Sequence, residues 1–194
     1  VVQGGGDSAK TVSILQYLTF IAALKPKTKI LVAADTVPNL KDGAISSFER
    51  YVREDFIEHL SDYNKADKVQ NFANGSAIKF KSFEGEMAAG GAEWDYAFFN
   101  EANMFNYDLF WQIQRKTRTQ ILLDFNPTSE FWAHSQIIKG QEAQYRDKWR
   151  HFILDHRHNP FLSEEQHKEY ESISDPELFR VYARGLTGKV TGLV

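Results

Sequence analysis

The strongest constraint on this chain is a pattern that recurs along it: a short apolar run that ends in polar residues and is mostly followed by a helical stretch. "VVQ", "KILVAAD" (Lys29 to Asp35), "DYAFFNEAN" (Asp95 to Asn103), "TQILLDFNPT" (Thr119 to Thr128) and "HFILDHRHNPF" all have this form. Strands buried on both faces read as continuous apolar runs, and the helices between them make the crossovers of a parallel sheet. The pattern predicts an open α/β sheet with its ligand at the polar strand ends.

The helical stretches are "AKTVSILQYLTFIAAL", with Val12, Leu15, Leu18, Ile21 and Ala22 at helical spacing, "YDLFWQIQRKT", and "DGAISSFERYVREDFIEHL". The last carries Ile45, Phe48, Val52, Phe56 and Leu60 on one face, with Asp42 as the expected N-cap. From about Ser163 the tail reads as two helical stretches with a glycine-marked end. "KVQNFANGSAIKFKSF" is different: its period-two alternation around Asn74-Gly75 predicts an antiparallel hairpin. With 194 residues, 42% of them hydrophobic, the chain can bury one sizeable core.

The first strand runs into "GGGDSAKT", Gly4 to Thr11, and then into a helix. A phosphate-binding loop needs this placement. Small residues let backbone N–H groups converge on phosphate, a lysine reaches its charge, and a hydroxyl ligates Mg2+. Gly4, Gly5, Gly6, Asp7, Ser8, Ala9, Lys10 and Thr11 fit that pattern except that Ala9 stands where the last glycine belongs. If the backbone there has negative φ the exchange is harmless; if φ is positive it costs about 1 kcal/mol or more. Asp7 adds a carboxylate inside an anion cradle, which repels phosphate unless it points away or is paired.

A second requirement of such ATPases is an apolar strand that delivers an acidic residue to the metal and water. "YAFFNEA" supplies Glu101 to activate water, with Asn100 in place of the usual aspartate on the metal side. The bland alternative is that Glu101 and Asn103 cap the next helix.

Together, "QGGGDSAKT", "DYAFFNEAN", "DFNPTSEFW", "HRHNPFLSEE" and "RVYARGLTG" resemble the ATPase domain of large terminase subunits, the motors that package DNA into tailed-phage heads. The resemblance runs from the glycine loop to the end of the chain. It implies a P-loop NTPase three-layer fold: a mainly parallel central sheet, an antiparallel hairpin and a small C-terminal helical lid over about 150–194. It also implies an ATP-driven translocase of double-stranded DNA, working as a ring on the portal with a small terminase subunit, in the cytoplasm of an infected or lysogenic bacterial host. Carried over by position, Lys10 and Thr11 bind phosphate and Mg2+, Asn100 lies beside the metal, and Glu101 is the catalytic carboxylate. Asp124, Asn126 and Thr128 fall in the motif that couples hydrolysis to motion. Related loops often have a basic residue where this chain has Asp7, so Arg115, Arg118, Arg157, Arg180 and Arg184 become alternative sources of positive charge. The start at Val1, inside a strand, predicts a fragment of a longer polypeptide; the family's adenine-contacting and nuclease segments are not found, and no DNA cleavage is expected of this chain alone. Two other readings stay open: another P-loop motor such as a helicase, and a nucleotide-binding or scaffolding module in which Asp7, Ala9 and Asn100 have ended catalysis.

The remaining features are weaker. A net charge of -3 gives no broad basic footprint, so DNA contact must be local and made to the backbone. Cysteine is absent, which removes disulfides and thiolate metal sites. His151, Asp155, His156 and His158 crowd one stretch, and on a strand His156 and His158 share a face as two metal ligands would; surface histidines explain them more simply. Asp35, Glu84, Glu86 and Glu93 are too scattered for one metal site. "FKSFEGEMAAGGAEWDY", with Gly85, Gly90 and Gly91, reads as a mobile loop in which Phe83 and Trp94 belong to the core.

Overall fold

A computed structural model of the chain describes residues 1–57, 61–84, 91–140 and 148–189. Leu60, Gly85, Glu86 and Gly90 lie outside the described residues, as does the side chain of Phe56. In chain order the elements begin with β1 (Val2–Gly4), α1 (Lys10–Leu24), β2 (Lys29–Ala34) and α2, a helical run built from Val37–Asn39, Leu40–Ile45, Ser46–Phe48 and Glu49–Ile57. Next come β3 (Ser61–Asn64), β4 (Val69–Phe72), β5 (Ala77–Ser82), β6 (Trp94–Phe99), α3 (Tyr107–Gln114) and β7 (Thr117–Phe125). The last are α4 (Ala133–Ile138), β8 (Phe152–Leu154), α5 (Glu164–Glu171) and α6, which is Pro176–Leu178 continued by Phe179–Ala183. They form two compact units, Thr11–Leu122 and Val1–Lys10 with Leu123–Val194.

In the unit Thr11–Leu122 the strand order is β3-β4-β5-β2-β6-β7. β2 is parallel to both neighbours, with Ile30 opposite Ile78 on one side and Tyr96 on the other. Ile30 through Ala34 are all buried, as a strand covered on both faces requires. α1 buries Ile14, Leu15, Leu18, Thr19 and Ala22, while the expected Val12 and Ile21 are only half-buried. Leu40, Ala44, Ile45, Phe48 and Val52 of α2 enter the core, and Phe48 packs on Phe80 at 5.0 Å between ring centroids.

The hairpin forms as its alternation predicts: β4 and β5 are antiparallel, with Asn71 opposite Ala77, and Gly75 takes φ +83° in the turn. β3 adds a further antiparallel strand, Ser61 opposite Phe72. Its sequence, "SDYN", has no apolar signal to announce it. The N-cap of α2 is not Asp42 but Thr36, whose Oγ1 accepts from the Asn39 N–H at 3.3 Å. Pro38 in the first turn was the signal for that earlier start, because its missing N–H costs nothing there.

In the other unit β1 lies between the end of β7 and β8, parallel to both, with Val2 opposite Asp124 and Phe152. Only Phe152–Leu154 of "HFILDHRHNPF" is strand. Asp155 then caps a single tight turn, His156–His158, so those two histidines do not share a strand face. The tail helices form as expected. Ser163 and Gln166 close a capping box on α5, and Asp175 caps α6 ahead of Pro176. Phe125, Phe131 and His134 make an edge-on aromatic cluster, with Phe125 and Phe131 at 4.7 Å between ring centroids. Among the described residues no helix is long and apolar enough to cross a membrane.

Candidate functional site

The glycine loop leaves β1 at Gly4 and enters α1 at Lys10. The Gly5 N–H donates to the Leu154 carbonyl at 3.0 Å and the Gly6 N–H to the Tyr182 carbonyl at 3.1 Å. These anchors draw the chain so close to its neighbours that a Cβ on Gly5 would strike the Tyr182 carbonyl and one on Gly6 the Tyr170 hydroxyl. Glycine is therefore required at both positions by close approach. Ser8 is buried and its Oγ donates to the Gly5 carbonyl at 3.1 Å.

Lys10 Nζ reaches back over this loop. It donates to the Gly5 carbonyl at 2.9 Å, to Ser8 Oγ at 3.3 Å and to Asn126 Oδ1 at 2.8 Å. Asn126 follows the last residue of β7, and the Thr128 N–H donates to its carbonyl at 2.9 Å across Pro127. The Pro127 carbonyl in turn accepts from the Gly188 N–H at 3.0 Å, which ties the segment after β7 to the chain end. Asp124, one strand residue earlier than Phe125, is buried.

Two loop residues carry positive φ. Ala9 has φ +58°, the costly case for a residue with a Cβ, and Asp7 has φ +46°. Asp7 is paired: its Oδ2 accepts from the Tyr170 hydroxyl at 2.9 Å, and its carbonyl accepts from Asn159 Nδ2 at 2.8 Å. Burial, then the bond to Asp7, pushes the Tyr170 hydroxyl well above its ordinary range. Sequence reasoning missed Tyr170 and Asn159, whose separation from the loop along the chain hides them.

In the unit Thr11–Leu122, Asn100 is buried at the end of β6, its N–H on the Ala33 carbonyl at 2.9 Å. Asn100 Nδ2 lies 3.4 Å from Thr11 Oγ1, so the two residues named for the metal are brought together. Glu101 is exposed and adopts φ +55°, ψ +57°. It makes no side-chain cap; the cap of α3 is Asn106, whose Oδ1 accepts from the Leu109 N–H at 2.8 Å. The alternative in which Glu101 and Asn103 cap that helix is thereby replaced. A left-handed acidic residue at a strand end is strained geometry of the kind found at functional sites.

Each candidate arginine has a partner. Arg118 pairs with Glu93, and Arg115 lies over the Trp111 ring at 4.7 Å. Arg157 grips Asp155 at 2.6 Å, Arg180 Nε donates to the Thr187 carbonyl at 2.8 Å, and Arg184 binds Glu171 at 2.7 Å. Burial alone would raise the Asp155 carboxyl, but Arg157, through its side chain and its N–H, holds it down to about 2. His156 is buried, with Nδ1 2.8 Å from His167 Nδ1 and Nε2 3.2 Å from Glu171 Oε1. Among the described residues no three acidic or histidine side chains converge as a metal site. Asp35 accepts from Asn39 and Glu84 from the Val37 N–H, well apart in their bonding from Glu93. Phe83 is buried, as expected, and Trp94 half-buried.

A family model described as phage terminase large subunit matches residues 1–186. No curated protein matches the chain. Among solved structures, the large terminase of a thermophilic bacteriophage superposes with a TM-score of 0.79 at 15% identity, covering 95% of this chain and 47% of that one. The Thermus phage P74-26 large terminase ATPase domain gives 0.68 at 16% identity, covering 94% of this chain and 86% of that one. The HK97 bacteriophage large terminase gives 0.68 at 12% identity over 96% of this chain and 46% of that one. The chain thus spans about half the length of the thermophilic-phage and HK97 proteins and shares their fold.

Proposed function

The chain belongs to the phage terminase large subunit family, and from that premise we propose that it is the ATP-hydrolysing part of a DNA-packaging motor. The observation that carries this reading is the seat of Lys10. Its ammonium is held over a strand–loop–helix turn by the Gly5 carbonyl, Ser8 and Asn126, at a helix N-terminus whose dipole favours an anion. The thermophilic-phage terminase has been solved with ADP and with ATP-gamma-S, which supports a nucleotide as the ligand here.

In this mechanism the loop from Gly4 to Thr11 binds the phosphates and Lys10 neutralises their charge. Thr11 offers a hydroxyl, a hard donor suited to Mg2+, which when bound would spread the charge on the phosphates, and Asn100 holds that hydroxyl through its amide N–H. Glu101 orients water for in-line attack. Asn126 changes partner when phosphate takes Lys10, and the segment Asp124 to Thr128 passes that change to the chain end through Pro127 and Gly188. The segment 150–194 acts as a lid. The work is done on double-stranded DNA gripped by its backbone, by a ring of subunits on a portal, with a small terminase subunit as partner, in the bacterial cytoplasm.

Calorimetric titration with Mg2+ and ATP-gamma-S, beside Lys10→Ala, tests the loop. Saturable binding that disappears in Lys10→Ala is expected; equal heats from the two proteins would remove the reading. The strained Ala9 favours one competing reading, a loop that has lost catalysis and kept only docking, for which neither protein would bind nucleotide.

A further inference from the structure

The loop contains a negative charge in the one place where an anion site should have none, and the structure holds that charge from a distant helix. Asp7 precedes the N-terminus of α1 by three residues. Aspartate is among the residues that best accept from the first N–H groups of a helix, so an unrestrained Asp7 carboxylate both repels phosphate and competes with it for the same donors. In this chain its Oδ2 is instead taken by the Tyr170 hydroxyl at 2.9 Å. The Asp7 carbonyl is fixed by Asn159 at 2.8 Å, so main chain and side chain are held at once.

Tyr170 is itself held. Its ring stacks on buried His156, with centroids 5.0 Å apart and an interplanar angle of 14°. His156 is gripped by His167 and Glu171, and Glu171 by both terminal nitrogens of Arg184 at 2.9 and 2.7 Å. The absence of a side chain on Gly6 is what lets the phenol reach the loop. A chain of side chains from the 150–194 segment, none of them part of the phosphate loop, thus ends on one carboxylate of that loop.

We propose that Tyr170 is a positioning residue for the phosphate loop, keeping the Asp7 carboxylate bonded to α5 so that its negative charge does not oppose a nucleotide's phosphates there. It acts through Asp7 and does not itself touch the ligand. The proposal rests on the reading of Gly4 to Thr11 as a nucleotide site.

The test is a double-mutant cycle on Mg2+–ATP-gamma-S affinity, measured by calorimetry with wild type, Tyr170→Phe, Asp7→Asn, and the two combined, with Lys10→Ala as the control. Tyr170→Phe keeps the ring on His156 and deletes only the hydroxyl, and thermal unfolding checks that it stays folded. It should weaken binding by about tenfold, the scale of a hydrogen bond to a charged group. Asp7→Asn should tighten binding by roughly threefold through loss of repulsion. In the Asp7→Asn background the Tyr170→Phe loss should shrink below about twofold, because no charge remains to be held. A purely structural role for Tyr170 would give the same loss in both backgrounds, and that result would overturn the inference while leaving the nucleotide site intact. Equal behaviour of wild type and Lys10→Ala would instead remove the nucleotide site, and the inference with it.

Discussion

Replacing Ala9 with glycine should stabilise this protein, although Ala→Gly is ordinarily a destabilising change. Ala9 sits at φ +58°. A residue with a Cβ pays roughly 1–2 kcal/mol in that left-handed region. Glycine has no such cost there but loses about 0.4–1 kcal/mol through the greater freedom of its unfolded chain. The difference is a net gain of about 0.5–1 kcal/mol, which for a chain of this length raises the midpoint of thermal unfolding by roughly 1–4 °C. Lys27 at φ +59° and Lys68 at φ +53° supply internal benchmarks away from the loop. Lys27→Gly and Lys68→Gly should gain by similar amounts. Differential scanning calorimetry on the three variants decides the matter. An Ala9→Gly protein that melts lower than wild type, while the two lysine variants melt higher, would refute the claim that the loop stores strain at Ala9.

Two further outcomes are expected. Asn126→Ala removes a Lys10 Nζ partner, held at 2.8 Å, that phosphate displaces; it should cost the free protein about 1–2 kcal/mol, read as a lower unfolding midpoint, while Mg2+–ATP-gamma-S affinity stays equal or rises. Asp155 has its carboxyl held down to about 2 from an ordinary 3.8, so its stabilising contribution is present above the ordinary value and lost as pH falls through about 2. That contribution is about 2 kcal/mol, and denaturant unfolding across this acid range should show a shallower pH dependence for Asp155→Asn than for wild type.

What the sequence revealed is local, and what it concealed is mostly long-range. The strand–glycine loop–helix turn, β2, β6 and β7 were legible because a run such as Ile30 to Ala34 needs no partner to announce a buried strand. Lys10, Thr11, Asn100 and Glu101 could be named because each stands at a strand or helix end defined by its immediate neighbours. The sign of φ at Ala9 was not legible, since an alanine carries no local signal for the left-handed conformation it adopts here. Nor was the partner of Asp7, which is 163 residues away. β3 escaped because "SDYN" carries no apolar run or alternation, although the Tyr63 ring packs against Phe48 and Phe80. The start of α2 at Thr36 was a different kind of miss: Pro38 carried the signal, and Asp42 competed with it as an equally good capping residue type. His156 read as a strand residue because "HFIL" is apolar up to the point where Asp155 turns the chain.

The measurement that bears most directly on the chain as a motor ATPase is phosphate release by wild type and by Glu101→Gln, set beside their affinities for Mg2+–ATP-gamma-S. Glutamine keeps the shape of the exposed, left-handed residue and removes the carboxylate's ability to take a proton from water. Hydrolysis should fall by about 100-fold or more while nucleotide affinity stays within about twofold of wild type. A Glu101→Gln protein that released phosphate at the wild-type rate would contradict the assignment of Glu101 as the catalytic carboxylate.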